Sequence, residues 1–288
     1  MKLKACAKIN WHLNVTGKRE DGYHLLDMLM QPISLADDIM LENADEFSLT
    51  VANAPYIPST KDNLVMRAAM ALKAHSGVPR AADIRLIKHI PVGAGLGGGS
   101  TDAAAVLWGL NEMWGLHYSA DTLAEIGLKL GADIPFCVYG GFARVRGIGE
   151  HVEPLPPLKP YWLVVIQPCL GLRTKEVFSS LNLGQPALKE KQLENTMNAL
   201  QNTDYALLKA SMHNDLEETA LCLRPQISHA IHSLYENGAK AAMMSGSGSA
   251  VFGVFNCHQA AASAHRTLSR KYRTCHICST LNGRPSIA

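Results

Sequence analysis

A glycine-rich segment is the first part of the chain that could do chemistry. Five glycines stand between Gly93 and Gly99, and Ser100, Thr101 and Asp102 follow directly. Glycine allows a backbone to adopt positive φ and to approach an anion closely. A helix that begins after such a loop directs its free N–H groups and the positive end of its dipole at the same point. The segment therefore has the properties of a phosphate cradle, and polyphosphate is the ligand that it favours.

Two common glycine-rich motifs do not match this segment. No Gly-Lys-Ser/Thr follows, which excludes Walker A, and no acidic residue ends a following strand as in a dinucleotide fingerprint. A tight connection without any ligand remains the alternative. A second segment, Ser245 to Ser249, alternates serine and glycine between two apolar runs. It is typical of a hairpin turn, and any further role would depend on the first loop.

Lys8 and Asp133 are far apart in the chain but could act together. A carboxylate beside an ammonium can remove a proton from an alcohol while the cation stabilises the charge that develops. Taken alone, each residue has a simpler interpretation. Lys8 lies in a strand pattern where a solvated lysine is usual, and Asp133 lies in a turn where an aspartate often caps the chain locally.

Two further residue pairs could bind a ligand or a metal. Tyr23 and His24 follow a turn, where they could stack on a flat ring or simply pack half-buried. Cys275 and Cys278 have Cys-x-x-Cys spacing, but no second pair matches it. A zinc site there would need distant ligands and is not favoured.

The elements that must position these residues are mixed. The odd positions from Leu3 to Val15 are apolar, and the even positions apart from Cys6 are polar. This alternation predicts a strand with one buried face, while Lys8 and Asn10 share the opposite, solvated face. Strands are also predicted around Ile84 and over 161–166, 239–255 (two strands and a turn) and 275–281. Helices are predicted after Asp62, over 100–113, from Ser119 to Leu130, and over 188–201, 205–211, 226–237 and 259–272.

A proline-rich segment divides the chain. Four prolines stand within seven residues from Pro154 to Pro160, which no helix or interior strand can accommodate. We place a domain boundary there, between residues 157 and 158. Mixed elements on both sides predict an α+β protein.

Composition limits the class of protein. With 288 residues, 47% apolar and 18% charged, the chain is an ordinary globular one. The formal charge of +2 and the absence of a basic cluster argue against a nucleic-acid or membrane-surface partner. Seven scattered cysteines and a start without an apolar run favour the cytoplasm. The longest strongly apolar stretch, Tyr161 to Ile166, is too short to cross a bilayer.

The ordered motifs resemble those of the GHMP kinases. The matching segments are Ala7 to Asn10, Gly17 to His24, the glycine loop with Ser100 to Asp102, Gly131 to Phe136, and Ser245 to Phe252. The loop is shared by the superfamily, whereas the Gly-Lys-Arg-x-Asp-Gly-Tyr-His segment resembles its diphosphocytidyl-methylerythritol branch. The resemblance runs from residue 3 to about residue 282.

This resemblance implies a fold and a reaction. The expected fold is a two-domain α+β GHMP kinase fold, with an S5-like ATP-binding domain over 1–157, a ferredoxin-like substrate domain over 158–288 and the active site in the cleft between them. The expected reaction is ATP-dependent phosphorylation of the 2-hydroxyl of a cytidine-diphosphate-linked methylerythritol, which leaves the 2-phosphate and ADP. ATP and Mg²⁺ are the implied cofactors, and the protein is expected to be a monomer or a weak homodimer.

Roles for individual residues follow from the same resemblance. Asp133 resembles the catalytic carboxylate and Lys8 its partner. On the substrate side, Asn10 positions the substrate, Tyr23, His24 and Phe178 hold the cytosine ring, and Thr174 lies near the methylerythritol. The residues implied for the nucleotide are Asn63, Pro91, Gly93, Gly95, Leu96, Gly97, Gly98, Gly99, Ser100 and Thr101, with Ser100 also as a ligand of Mg²⁺.

Three alternatives remain open at this stage. The same fold could phosphorylate another alcohol such as homoserine or mevalonate, although Tyr23 and His24 argue against this. It could be a catalytically silent ligand sensor, against which the presence of both Lys8 and Asp133 counts. An S5-like RNA-binding module would share the N-terminal topology, but the net charge of +2 disfavours it.

Overall fold

The computed structural model describes residues 1–179, 186–284 and 286–287. Its strands are β1 (Lys2–Lys18), β2 (His24–Ala44), β3 (Ser48–Ala52), β4 (Ala81–Ile87), β5 (Ala143–Gly147), β6 (His151–Pro154), β7 (Trp162–Ile166), β8 (His213–Asn214), β9 (Ala241–Met244), β10 (Val251–Phe255), β11 (Cys275–Ser279) and β12 (Ser286–Ile287). Its helices are α1 (Leu64–Ser76), α2 (Gly98–Trp114), α3 (Ala120–Leu128), α4 (Ile134–Tyr139), α5 (Thr174–Ser179), α6 (Pro186–Asn202), α7 (Tyr205–Ser211), α8 (Glu217–Leu223), α9 (Gln226–Glu236) and α10 (His258–Leu268).

The first sheet has eight strands around the long β1–β2 pair. Its main path runs β12-β1-β2-β4-β3, with β5 added on β2, β6 on β5 and β8 on β1. Strands β3 and β4 are parallel and α1 connects them, whereas β1 and β2 are antiparallel. Helices α1 and α2 pack together beside this sheet.

The expectation of one solvated face on β1 is wrong. Lys8, Asn10, His12 and Asn14 are all buried. The register of β1 on β2 shifts between Cys6 and Lys8 and again between Asn10 and His12. Such irregularities reverse the face that a side chain points to.

These shifts place successive apolar residues of β1 in two different cores. Ala5 and Leu13 belong to the core that contains α1 and α2. Ile9 and Trp11 belong to the core formed with the second sheet, where Trp11 packs edge-on against Tyr161 and Phe252. Both faces of β1 are therefore covered, and polar side chains on this strand are buried near the centre of the molecule.

The second sheet is antiparallel and has four strands in the order β11-β7-β10-β9. Numbered by their order in the chain, these strands are the fourth, first, third and second of the sheet. Helices precede β9 and β11. That arrangement is the βαββαβ pattern of a ferredoxin-like unit, here with α5 to α9 in place of a single helix. The expected α+β architecture is present, with the ferredoxin-like unit in the second half of the chain.

Most helices with clear start signals lie where the sequence predicts them. Ser119 accepts the backbone N–H of Thr122 and begins α3, and the Ala-rich run forms α2. Helix α1 begins at Leu64 and is capped by Asn63, one residue after the predicted Asp62.

The division at residues 157 and 158 stays a prediction. Strands β8 and β12, which lie after it, pair with β1 in the first sheet.

The cysteine pair near the C-terminus lies within a single strand. Cys275 and Cys278 lie three positions apart on β11, so their side chains point to opposite faces of the strand. Within the described ranges, no group of three or more His, Cys, Asp or Glu side chains could hold a metal ion. Among the helices of the same ranges, none has the length and apolar composition needed to cross a membrane.

Candidate active site

The glycine loop connects β4 to the start of α2. Gly93, Gly95 and Gly97 have φ values of +65°, +78° and +70°, which side chains rarely allow. The first residue of α2 follows Gly97, so the free N–H groups at the start of this 17-residue helix face the loop. The expected strand, glycine loop and helix are therefore all present.

The second Gly-Ser segment packs directly on this loop. It joins the antiparallel strands β9 and β10, as predicted for a hairpin. The Ser245 hydroxyl donates to the Gly95 carbonyl at 3.2 Å, and the Ala250 N–H donates to the Ala94 carbonyl at 3.0 Å. A Cβ atom on Gly95 would lie 2.2 Å from the Ser245 carbonyl oxygen. The two segments therefore support each other through the backbone.

Lys8 lies against the glycine loop. Its backbone N–H donates to the Leu96 carbonyl at 2.9 Å, and a Cβ atom on Gly97 would lie 2.9 Å from its Cγ atom. Its Nζ donates to Oδ1 of Asn10 at 2.8 Å. Only 5% of the Lys8 side chain is exposed, so the ammonium is held in one place.

The ammonium of Lys8 also faces Asp133. Oδ2 of Asp133 lies 3.5 Å from Nζ of Lys8. Asp133 precedes α4, but its side chain makes no cap hydrogen bond to that helix. The carboxylate is about one-third exposed and lines the cavity beside the loop. A local capping role, the simpler interpretation of this residue, is therefore wrong.

A cavity of about 540 Å³ collects these groups. This volume is in the range of small-molecule sites. The predicted site residues that line it are Lys8, Asn10, Asn63, Pro91, Gly93, Gly95, Leu96, Gly97, Gly98, Gly99, Ser100, Asp133, Thr174 and Phe178.

Two residues predicted on the nucleotide side have mainly local contacts. Asn63 caps α1 through Oδ1, which accepts the Val65 N–H at 2.9 Å, and its Nδ2 donates to the Pro58 carbonyl at 2.8 Å. Asn63 therefore shapes the cavity wall. Thr101 is buried on another side of α2, where it lines a small pocket with Cys137, and it does not line the cavity.

The ring of Phe178 lines the cavity and stacks on His24. The rings of His24 and Phe178 stack with their centroids 4.7 Å apart and an angle of 26°. Desolvation, with a smaller effect of Lys18, lowers the pKa of His24, which favours a neutral ring. Tyr23 is 58% exposed and does not line the cavity. The structure thus brings His24 and Phe178 together, but of the three predicted ring residues only Phe178 lines the cavity, and neither His24 nor Tyr23 does.

Thr174 is linked to a residue that sequence reasoning did not single out. Its Oγ1 lies 3.1 Å from Oγ of Ser247, in the second Gly-Ser segment. Both residues line the cavity. The composition of that segment was a usable signal, because a loop that packs on the glycine loop must also border the same cavity.

A buried ion cluster next to the loop was also missed. Nζ of Lys88 is hydrogen-bonded to Oδ2 of Asp37 and, at 2.6 Å, to Oδ2 of Asp102. Asp102 was visible in the loop motif, but the sequence contains no signal that pairs it with Lys88 and Asp37.

The site fits a nucleoside triphosphate, and its donor set suits a magnesium ion that the nucleotide helps to hold. Glycine at positions 95 and 97 lets the loop pack closely on Ser245 and Lys8, whose atoms a Cβ would contact. Asp133 and Ser100 supply one carboxylate and one hydroxyl on the cavity wall. Mg²⁺ in phosphoryl-transfer sites commonly takes one or two such protein ligands together with substrate phosphates.

The comparisons with known proteins agree with this geometry. The family described as GHMP kinases N terminal domain matches residues 63–141, and that described as GHMP kinases C terminal matches residues 196–274. These ranges include α1, the glycine loop and Asp133 in the first match, and the second Gly-Ser segment in the second.

Relatives along the whole chain carry one common name. A 4-diphosphocytidyl-2-C-methyl-D-erythritol kinase of Alkaliphilus metalliredigens is 40% identical over 99% of this chain and 98% of its own length. One of Clostridium perfringens is 39% identical over 98% and 99%. These matches leave no large part of the chain without a counterpart.

Solved structures give the same result. A crystal structure of 4-(cytidine 5'-diphospho)-2C-methyl-D-erythritol kinase is similar with a TM-score of 0.84 and 34% identity, over 98% of this chain and 100% of that one. A homoserine kinase from Cytophaga hutchinsonii has a TM-score of 0.80 at 19% identity, over 100% of this chain and 97% of that one, and so shares the fold. The chain is an ATP-dependent small-molecule kinase that belongs to the GHMP kinases and, within them, to the 4-diphosphocytidyl-2-C-methyl-D-erythritol kinase family.

Proposed function

We propose that this kinase transfers the γ-phosphoryl group of ATP to the 2-hydroxyl of 4-diphosphocytidyl-2-C-methyl-D-erythritol, a step in the synthesis of isoprenoid precursors. The observation that carries the proposal is the Lys8–Asp133 pair, with 3.5 Å between Nζ and Oδ2, beside the glycine loop. The stacked rings of His24 and Phe178 at the other end support a substrate with a flat base.

The glycine loop supplies the phosphate site. Backbone groups of Gly95 to Gly99, with Ser100 at the start of α2, would hold the β- and γ-phosphates of the nucleotide, and Pro91, Gly93 and Leu96 shape the rest of that wall. Thr101 contributes by keeping the first turn of α2 in place, since its backbone N–H donates to the Gly97 carbonyl at 2.9 Å.

Asp133 and Lys8 act on the alcohol. The Asp133 carboxylate accepts the proton of the 2-hydroxyl while that oxygen forms a bond to the γ-phosphorus and the bond to the leaving ADP oxygen breaks. Lys8 stabilises the negative charge on the transferring group and keeps Asp133 oriented. Asn10 fixes the Lys8 ammonium through Oδ1, and its Nδ2 donates to Sδ of Met28 at 3.4 Å. From its place on the cavity wall, Asn10 would position the substrate.

Mg²⁺ is proposed as the metal cofactor, with Ser100 as the candidate protein ligand, and it would neutralise charge on the β- and γ-oxygens when bound. On the acceptor side, His24, Phe178 and Tyr23 would hold the cytosine, and Thr174 the methylerythritol. Four expectations stay predictions: the domain division between residues 157 and 158, the cytoplasmic location, the absence of a nucleic-acid or membrane partner, and the monomer or weak homodimer.

The test is a coupled assay of ADP release with a panel of alcohols. We expect ADP from ATP only when the diphosphocytidyl alcohol is supplied, and not with homoserine or mevalonate. Turnover of either other alcohol at a comparable kcat/KM would overturn the proposed acceptor. Binding of ATP in calorimetry without product from any alcohol would instead favour a silent sensor.

A further inference from the structure

The buried charges of Lys88, Asp37 and Asp102 form a cluster that the proposed mechanism does not use. The three residues are 7%, 0% and 2% exposed. Lys88 follows β4, Asp37 lies on β2 and Asp102 lies in the first turns of α2. One ammonium therefore connects three elements of the first domain.

The cluster holds both ends of the glycine loop. On the entry side, Oδ1 of Asp37 accepts the backbone N–H groups of His89 and Ile90, the latter at 2.8 Å. On the exit side, Lys88 reaches Asp102, and a Cβ atom on Gly98 would lie only 3.3 Å from the Lys88 Nζ. The ends of the segment from Ile90 to Gly98 are thus fixed with respect to each other and to β2.

The cluster places one ammonium against two carboxylates. Burial disfavours charge and raises the pKa of Asp102, although Lys88 opposes this effect. Oδ1 of Asp102 is buried and has no hydrogen-bond partner among the described residues. Buried ion pairs often stabilise a fold no better than apolar side chains of the same volume would. Their contribution here is geometric, because the contacts have defined directions and defined partners.

We propose that Lys88, by bridging Asp37 and Asp102, is a positioning residue that holds the glycine loop in the shape that binds the nucleotide phosphates. This inference rests on the proposed use of the loop for ATP. Lys88 borders the cavity, but two carboxylates already bind its ammonium, so it acts through the loop and not as a phosphate ligand. Nucleotide affinity should therefore depend on Lys88, while affinity for the alcohol should not.

The test uses Lys88→Met in the full-length enzyme. Small displacements of positioning groups can cost up to about a hundredfold, and we expect the KM for ATP and the calorimetric Kd for Mg-ADP to rise about tenfold or more. The KM for the alcohol should stay within about twofold, because the His24–Phe178 stack and the Thr174–Ser247 contact do not involve the residues of the cluster. Lys88→Arg keeps the charge and can bridge two carboxylates, so it should recover much of the affinity.

Two further variants complete the design. Lys88→Met leaves two carboxylates without a cation and could fail to fold, so Lys88→Met with Asp102→Asn is measured as well. In that double variant Asp37 keeps its two backbone donors. Asp38→Asn is the matched control, because Asp38 is the next residue of β2, contacts Lys4 and His89 near the surface and is outside the cluster.

The outcomes separate this inference from the proposed function. A lower melting temperature with unchanged nucleotide affinity would reduce the cluster to a stabilising role and overturn the inference. An equal rise of both KM values would also contradict it, since the effect would not be specific to the loop. If wild-type enzyme binds Mg-ADP but phosphorylates none of the alcohols, the proposed function fails while the effect of Lys88 on binding can still be read.

Discussion

The two ends of the cavity are built from different kinds of contact. At the phosphate end, backbone atoms meet backbone atoms, as in the Lys8 N–H to Leu96 carbonyl and Ala250 N–H to Ala94 carbonyl bonds. At the acceptor end, side chains meet side chains, as in the His24–Phe178 stack and the Thr174–Ser247 contact.

This difference separates the end of the site that binds a common part of ligands from the end that selects one substrate. Backbone contacts depend on the loop geometry and leave almost no room for a side chain. The phosphate end therefore suits the part of a ligand that many reactions share. Side-chain contacts can change by one substitution without disturbing the loop. We therefore expect substitutions at the phosphate end to abolish nucleotide use, and substitutions at the acceptor end to change KM for the alcohol in graded steps.

The largest effect is expected at the junction of the two ends, from Asp133→Asn. An amide cannot accept the hydroxyl proton, so kcat should fall by about 10² or more if proton transfer matters, with both KM values little changed. Steady-state ADP release measures this. Asp121→Asn is a control, since Asp121 is an exposed carboxylate that pairs with Tyr139. Near-wild-type turnover in Asp133→Asn would remove Asp133 from the mechanism.

The phosphate end is tested by Gly95→Ala. The new Cβ would lie 2.2 Å from the Ser245 carbonyl oxygen, at a φ of +78°. Gly77→Ala is a matched control, because Gly77 has a φ of +69° but nothing within 4 Å of the added atom. Both variants carry the cost of positive φ, about 1 kcal/mol. Only Gly95→Ala should in addition raise the KM for ATP, by about tenfold or more, because the loop must move. Equal kinetics in the two variants would show that the contact between the two loops is dispensable.

The acceptor end is tested by Phe178→Ala. Stacking of a base on an aromatic ring contributes about 1 to 3 kcal/mol, so the KM for the diphosphocytidyl alcohol should rise about tenfold while the KM for ATP stays unchanged. Tyr56→Ala, at a 71% exposed aromatic residue outside this cavity, is the control. Tyr23→Ala decides whether the exposed Tyr23 takes part. A rise in KM for ATP in Phe178→Ala would contradict the division into two ends.

The smallest effect on turnover is expected from His12, on β1 beyond Asn10. Burial, together with the nearby His213, lowers the pKa of His12 from 6.5 to about 4. The unfolded chain therefore binds a proton that the folded protein excludes between these values. The contribution of His12 to the free energy of unfolding is fully present above pH 6.5. It is lost as the pH decreases towards 4, and the loss amounts to at most about 3 kcal/mol. Urea unfolding midpoints from pH 7 to 4 should fall less in His12→Gln, while turnover at pH 7 changes little. Parallel pH curves for the two proteins would contradict this assignment.

The parts of the fold that could be predicted carry local signals. Helix α3 has a serine at its N-cap and a clear apolar stripe, and the loop before α2 is marked by its glycines. The family resemblance then identified Lys8 and Asp133 as partners, although 125 positions separate them in the sequence.

The parts that were wrong or missing depend on pairing between distant segments. The buried position of Lys8 follows from register shifts of β1 on β2, which no alternation of residue types reveals. The contact of Asp37 with Lys88 likewise depends on how β2 lies beside β4. Strand β2, with 21 residues, gave no simple pattern, because buried polar residues such as Gln31 and Asp37 interrupt it.

Strands β8 and β12 have a consequence for how the chain folds during synthesis. His213 and Asn214 pair with β1, and so do residues 286 and 287. A ribosome releases the N-terminal segment first. Part of the hydrogen-bonding edge of β1 therefore stays unpaired until residues 286 and 287 have been synthesised. A chaperone that protects the nascent chain would be needed longest at β1.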